Sequence, residues 1–243
     1  MNPKLNVCLS PALYKYYAEK NTIVVMTDAI RASASICTAF MNDVQFVLPV
    51  SEVLEAQSYK SQGYKIAGER NGKKLEGFDF GNSPFNFTEE NIKGKKLAFT
   101  TTNGTQAINL IKKIKLNGVE LVVGSFINIS VLADYLIKQN KNILILCSGW
   151  KNTVNVEDTL FAGRLAHLLI QKKEFETPEA TNLALDIYKN SGNSYFDFVI
   201  NNSPRLKSKS EFLEKDIKYC LSEDLTNEIP YLKDNKLVSM NSL

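Results

Sequence analysis

The hydrophobic positions of this chain fall into short blocks whose period switches repeatedly between that of a buried strand and that of a helix. Thr22-Ile-Val-Val-Met-Thr27 is apolar and β-branched without alternation, the pattern of a strand covered on both faces. The small-residue run Ala32 to Phe40 predicts a helix packed closely on it. Val44 to Val50 predicts a strand, and Ser51 a cap for a helix reaching about Gln62. Lys65 to Ala67, Lys96 to Phe99, Val119 to Val123 and Asn142 to Cys147 read as further strands. Thr105 to Lys115, Ile129 to Lys138 and Val156 to Gln171 read as helices between or after them, and another runs from Pro178 to about Asn190. Such alternation predicts an α/β fold, a three-layer α/β/α sandwich on a mainly parallel sheet.

Two segments break the rhythm. Gly68 to Phe87 is long, polar and rich in glycine, and long loops inside a domain are usually functional. Beyond Ser191 the pattern becomes a helix over Lys209 to Leu221 and a hairpin over Ile229 to Met240 that turns at Asp234-Asn235. The hairpin is expected to add antiparallel edge strands, which would make the sheet mixed. The 243 residues can share one core, so the expectation is a single domain over 1–243, with 191–243 a C-terminal helical and hairpin subregion.

Composition narrows the class. Hydrophobic residues at 44% with 23% charged argue against disorder. The net charge of +3 is spread along the chain, which leaves no stripe for nucleic acid. No stretch approaches the ~18 apolar residues of a membrane span. Cys8, Cys37, Cys147 and Cys220 are widely spaced and form no C-x-x-C pair, as expected of reduced, buried thiols in a cytoplasmic protein. A homo-oligomer is compatible with the sequence and not required by it.

Five apolar blocks run directly into polar clusters: Asp28-Ala-Ile-Arg31, Gly68-Glu-Arg70, Thr100-Thr-Thr-Asn-Gly-Thr105, Gly124-Ser125, and Ser148-Gly149 leading to Glu157-Asp158. In α/β proteins ligands sit outside the carboxyl ends of strands, so such clusters converge on one pocket. Carboxylates suit a hard divalent cation, whereas arginines, hydroxyls and amides at a helix start suit a phosphate-like anion. Only four of the 29 basic residues are arginines, and Arg31 and Arg70 lie inside these loops, where a planar bidentate fork is useful. Plainer readings exist for each cluster taken alone. Asp28 and Arg31 could form a structural ion pair, the threonine loop could be a capped Asn-Gly turn, and Glu157 and Asp158 could simply complement a helix dipole. Taken together, Asp28, Glu69, Glu157 and Asp158 would repel one another without a cation, and Mg²⁺ resolves that repulsion.

Several phosphate chemistries are excluded by spacing. His167 is the single histidine, which removes a histidine zinc cluster, a histidine phosphatase pair and a serine triad. No cysteine has an arginine six positions on, and neither G-x-x-x-x-G-K-[ST] nor G-x-G-x-x-G occurs. An aspartyl-phosphate enzyme of the haloacid dehalogenase type would want Asp-x-Asp after the first strand, but position 30 is Ile.

At these residues the chain resembles the 2-phosphosulfolactate phosphatase (ComB-like) family. The matching segments are Asp28-Ala-Ile-Arg-Ala-Ser33, Gly68-Glu-Arg70, Glu76-Gly-Phe-Asp-Phe-Gly-Asn-Ser-Pro84, Thr100 to Thr105, Gly124-Ser-Phe126, and Glu157-Asp-Thr-Leu160 with Gly163. The resemblance implies an Mg²⁺-dependent hydrolase that converts 2-phospho-3-sulfolactate to sulfolactate and phosphate, a step in coenzyme M formation. On that reading Asp28, Arg31, Glu69 and Arg70 are catalytic, and Asp28, Glu69, Glu157 and Asp158 are the metal carboxylates. Ser33, Asn82, Ser83, Thr101, Thr102, Asn103, Gly104, Thr105, Ser125 and Gly149 would bind the small anionic phospho-acid. Ser148-Gly-Trp-Lys151 departs from the smaller or more acidic residues expected there. Two alternatives remain open at this stage, a phosphatase of another small phospho-acid and a non-catalytic module that binds a phosphorylated metabolite.

Overall fold

Alternate residues of the central strands are packed into opposite cores, which is why the inner positions of those strands are all apolar. In the strand Thr22–Thr27, Ile23 and Val25 belong to one cluster and Val24 and Met26 to the other. The strand Asn142–Cys147 behaves alike, with Ile143 and Ile145 on one side and Leu144 and Leu146 on the other. Burying each such side chain contributes roughly 1.5–3 kcal/mol, so two-sided burial is the main force behind the layering.

The computed structural model describes residues 2–114 and 116–242. The expected helix end at Lys115 and the outermost ends of the 1–243 domain lie outside them. In chain order the first half runs β1 (Leu5–Cys8), α1 (Tyr14–Tyr17), β2 (Thr22–Thr27), α2 (Ala32–Met41), β3 (Phe46–Pro49), α3 (Val53–Lys60), β4 (Lys65–Arg70), β5 (Lys73–Lys74), α4 (Glu89–Ile92), β6 (Lys96–Thr100) and α5 (Gly104–Lys113). The second half runs β7 (Glu120–Val123), α6 (Ile129–Gln139), β8 (Asn142–Cys147), α7 (Val156–Ile170), α8 (Glu179–Lys189), α9 (Tyr195–Asn202), α10 (Pro204–Lys207), α11 (Ser210–Cys220), β9 (Pro230–Lys233) and β10 (Lys236–Ser239).

The sheet order is β1-β8-β2-β7-β9-β10-β3-β6-β4-β5, with helices on both faces, a three-layer α/β/α sandwich. Pairings within β1-β8-β2-β7 and within β3-β6-β4 are parallel. The C-terminal hairpin does not sit at an edge. It lies between the two parallel blocks, β9 meeting β7 at Tyr231–Val122 and β10 meeting β3 at Leu237–Val47, both antiparallel. Each block would otherwise end in a strand with unpaired backbone groups, and the hairpin satisfies both edges at once. Its turn is tight because Asp234 and Asn235 both take positive φ, +48° and +68°.

Other differences are local. Ser51 does not cap α3; its carbonyl accepts from Arg70 and Thr100 and its hydroxyl from Asn109, which leaves Glu52 as the residue before the helix. The short strand β1 and the helices α9 and α10 were not anticipated from the pattern. Gly163 allows α7 and α8 to touch, since a Cβ there would stand 1.9 Å from the Ala184 carbonyl oxygen. The four cysteines are free and buried, and among the described residues no helix is long and apolar enough to cross a membrane.

Candidate active site

The loops after β2, β4, β6 and β8 meet at the carboxyl ends of the parallel strands, as the polar clusters suggested. Asp28, Arg31, Glu69, Asn82 and Asn103 line one small pocket there. Trp150, Arg205 and Lys209 line it from the other side. The cavity measures about 30 Å³, enough for a water molecule.

Asp28 follows β2 directly. Its backbone N–H donates to the Ser33 hydroxyl at 2.8 Å, while its Oδ2 accepts from the Gly104 N–H at 3.0 Å and its Oδ1 more loosely from Ala32 at 3.4 Å. Gly104 is needed for this approach, because a Cβ there would lie 3.1 Å from Asp28 Oδ2 and 3.0 Å from the Ala32 Cβ. Burial, reinforced by the Glu69 carboxylate, raises the Asp28 carboxyl from its ordinary 3.8 to about 6.

The threonine loop spends its amides on the protein's own groups. Thr102 donates through its N–H and its hydroxyl to Glu69 Oε1, both at 2.8 Å, and Gly72 N–H donates to Glu69 Oε2 at 2.6 Å. Thr101 and Thr105 hold each other, each N–H donating to the other's hydroxyl. The helix-start amides thus fix two of the protein's own carboxylates.

Arg31 does not pair with Asp28. Its Nη1 donates to Asp216 Oδ2 at 2.5 Å and its Nη2 to the Gly72 carbonyl at 3.2 Å, and Ser83 donates to the second Asp216 oxygen at 2.8 Å. Arg31 still borders the pocket with N–H donors to spare. Arg70 points elsewhere, donating to the Glu69 and Ser51 carbonyls and to the Thr100 hydroxyl, and it clamps the strand-end backbones together.

Glu157 and Asp158 open α7 and have different surroundings. Asp158 accepts from the N–H groups of Ala29 and Gly149 and from the Asn155 amide, and thereby ties the loop after β2 to the loop after β8. Burial and the charges of Asp28 and Glu157 raise its pKa well above the usual carboxylate range. Glu157 is 1% exposed. Its Oε1 accepts from Arg205, and its Oε2 has no hydrogen-bond partner. Burial raises its pKa against the opposing pull of Arg205. The Asn82 Oδ1 is a second buried oxygen without a partner. Ser125 is fully buried and does not line the pocket.

Arg205, Lys209 and Asp216 come from the C-terminal segment. Pattern reading assigned none of the three to the site. Arg205 lies on the four-residue α10, Lys209 in the turn before α11 and Asp216 on α11, with no motif around them; the only advance signal was the rarity of arginine. A larger cavity of about 480 Å³ adjoins Asn103 and is bordered by Lys15, Ser51, Gln106, Asn109 and Lys113. Glu52 is its one carboxylate and it has no arginine, so size and chemistry disagree, and the chemistry favours the smaller pocket.

Fold and pocket define an α/β protein with carboxylates and arginines gathered in one pocket at its strand ends. The family model described as 2-phosphosulpholactate phosphatase matches residues 8–235, and the chain belongs to that family. A protein of Caldanaerobacter subterraneus subsp. tengcongensis named "Probable 2-phosphosulfolactate phosphatase" is 35% identical over 221 residues, 89% of each chain. A Thermotoga maritima protein with the same name is 35% identical over 208 residues, 86% of this chain and 88% of its own. A Clostridium perfringens protein, again so named, is 31% identical over 245 residues, 98% of this chain and 97% of its own.

Proposed function

We propose that this chain is a cytoplasmic, Mg²⁺-dependent phosphomonoester hydrolase that converts 2-phospho-3-sulfolactate to 3-sulfolactate and phosphate, the reaction used in coenzyme M formation. Family membership and the names of the relatives support the substrate. The observation that carries the reading is the convergence of Asp28, Glu69, Arg31 and Arg205 on one strand-end pocket.

The donor set suits a hard cation. Every free ligand atom is oxygen, and the unpartnered Glu157 Oε2 and Asn82 Oδ1 are buried atoms that a cation would satisfy. Among the described residues no three His, Cys, Asp or Glu side chains form a metal-holding group. That is compatible with Mg²⁺, which is commonly held by one or two carboxylates, several waters and the substrate's own phosphate. Asp28 and Glu157 would hold it directly, with Glu69 and Asp158 fixing the loops around them. Bound there, Mg²⁺ supplies neutralisation of the phosphoryl charge. Arg31 grips the phosphoryl oxygens with the N–H groups that Asp216 and Gly72 leave free, and Asp28 orients the attacking water.

The test is phosphate release by the purified protein from 2-phosphosulfolactate and other small phospho-acids, with Mg²⁺ and with a chelator. Mg²⁺-dependent release that favours the sulfonated substrate and is lost in a folded Asp28→Asn variant is the expected result. No release from any compound, despite ligand-induced thermal stabilisation, would make the chain a binding module instead.

A further inference from the structure

A second group of cations gathers beside the same pocket and, apart from Arg205, which pairs with Glu157, its members have no part in the chemistry above. The turn Trp150-Lys151-Asn152-Thr153 is closed by hydrogen bonds from Trp150 N–H to Thr153 O at 2.9 Å and from Thr153 N–H to Trp150 O at 3.0 Å. Lys151 and Asn152 take φ of +51° and +63°, the signs of a type I′ turn, so the turn presents the indole in a defined orientation. Three cations gather on that ring from two distant parts of the chain. Arg205 Cζ lies 4.7 Å, Lys209 Nζ 5.5 Å and Lys151 Nζ 5.8 Å from its centroid.

One cation on an indole face is a common stabilising contact, but three repel one another, and a ring quadrupole cannot neutralise them. Arg205 finds Glu157, whereas Lys209 and Lys151 form no ion pair among the described residues. Lys209 is half-buried, with its pKa lowered first by that burial and then by Arg205. Trp150, Arg205 and Lys209 all line the pocket, so the surplus positive charge faces the ligand space. Such a surplus in a confined cleft is a site for an anion.

We propose that Trp150, Lys151, Arg205 and Lys209 form the subsite for the substrate's sulfonate, apart from the residues that grip the phosphoryl group. The proposal rests on reading the chain as a phosphatase of a sulfonated phospho-acid. A sulfonate suits this cluster because it offers three equivalent oxygens to several donors at once and stays ionised at any working pH. The indole face covers the adjoining methylene group. The subsite would also make Trp150 and Lys151 determinants of specificity.

The experiment compares kcat/KM for 2-phosphosulfolactate with that for 2-phospholactate, which lacks the sulfonate, in the wild type, Lys209→Met and Lys151→Met. The preference for the sulfonated substrate is expected to fall roughly tenfold in Lys209→Met, the size of one charge-assisted hydrogen bond, and roughly threefold in Lys151→Met. A preference unchanged within about twofold in both variants would overturn the proposal, even if absolute rates dropped. Should Lys209→Met fail to fold, Lys151→Met, on the exposed side of the turn, carries the test. Calorimetric titration with 3-sulfolactate reads the subsite without turnover. Wild-type binding that weakens roughly tenfold in Lys209→Met would support the subsite even if no substrate were hydrolysed, and the phosphatase reading alone would then fall. Hydrolysis without sulfonate preference or sulfolactate binding would remove the subsite and leave the phosphatase. Neither hydrolysis nor binding would sink both.

Discussion

Replacing Asp216 by alanine strikes the contact that joins the C-terminal helices to the strand-end loops. Arg31 and Asp216 approach to 2.5 Å with side chains 9% and 12% exposed, so solvent screens the pair little. Without Asp216, Arg31 keeps the Gly72 carbonyl at 3.2 Å as its remaining partner, and the Ser83 hydroxyl loses its acceptor. Breaking a buried pair by deleting one partner costs about 3–5 kcal/mol, chiefly because a charge is left buried and uncompensated. For a chain of this length that corresponds to a drop in Tm on the order of 10 °C. Urea unfolding followed by circular dichroism would measure the loss, with Asp186→Ala as the control. Asp186 faces Lys189 at 3.7 Å with side chains 68% and 61% exposed, and an open pair of that kind is expected to shift stability by less than about 0.5 kcal/mol. A second readout isolates the charge. Inorganic phosphate should raise the Tm of Asp216→Ala more than that of the wild type, because it replaces the missing counter-charge beside Arg31. A loss below about 1 kcal/mol, or equal stabilisation of both proteins by phosphate, would refute the view of Arg31 as a buried pocket cation held by Asp216.

The folded pKa of Asp28, about 6, lies above its ordinary 3.8, so the folded chain holds a proton that the unfolded chain loses in that window, and stability falls as pH rises through it. In the presence of a chelator, Asp28→Asn should match the wild type near pH 4 and exceed it by on the order of 2 kcal/mol at pH 7, and pH-resolved Tm values check the sign. Gly163→Ala would drive a Cβ against the Ala184 carbonyl and should cost about 1–3 kcal/mol in urea unfolding without a change in KM; a neutral variant would mean that α7 and α8 do not cross so closely. Gly104→Ala should push Asp28 out of place and lower kcat/KM by roughly ten- to hundredfold, with only a small fall in Tm.

The legible parts of this protein were those where chemistry and chain position coincide. β2 and β8 announced themselves because two-sided burial demands uninterrupted apolar residues, and Asp28 because a carboxylate at such a strand end is costly unless used. Convergence of the loops after β2, β4 and β6 followed from strand direction alone. Partner choice was not legible. Arg31 stands three residues from Asp28 yet pairs with Asp216, 185 residues away, because sequence spacing says nothing about which distant helix covers a loop. The threonine loop shows a related limit. Its composition suggested a site for a phosphate-like anion, whereas its amides hold the carboxylates of Glu69 and Asp28. The hairpin was found and misplaced, since two strands and a turn are local features whereas the slot between two parallel blocks is a property of the whole sheet.

The same C-terminal segment performs two tasks that physical coupling ties together. Its hairpin joins the two parallel blocks through single registered pairs, Val122–Tyr231 and Leu237–Val47, so the relative placement of β2 and β4 depends on it. Asp28 rides on the first block and Glu69 on the second, and the bond network that unites them, Thr102 to Glu69 and Gly104 to Asp28, crosses that divide. Upstream of the hairpin, α10 and α11 bring Arg205, Lys209 and Asp216 over the same loops. A protein that must assemble several anionic side chains and then admit an anionic ligand needs cations that arrive with the closing of the fold. Here Arg205 and Lys209 come last in sequence, and Arg205 rests on Glu157, which the earlier elements have already placed.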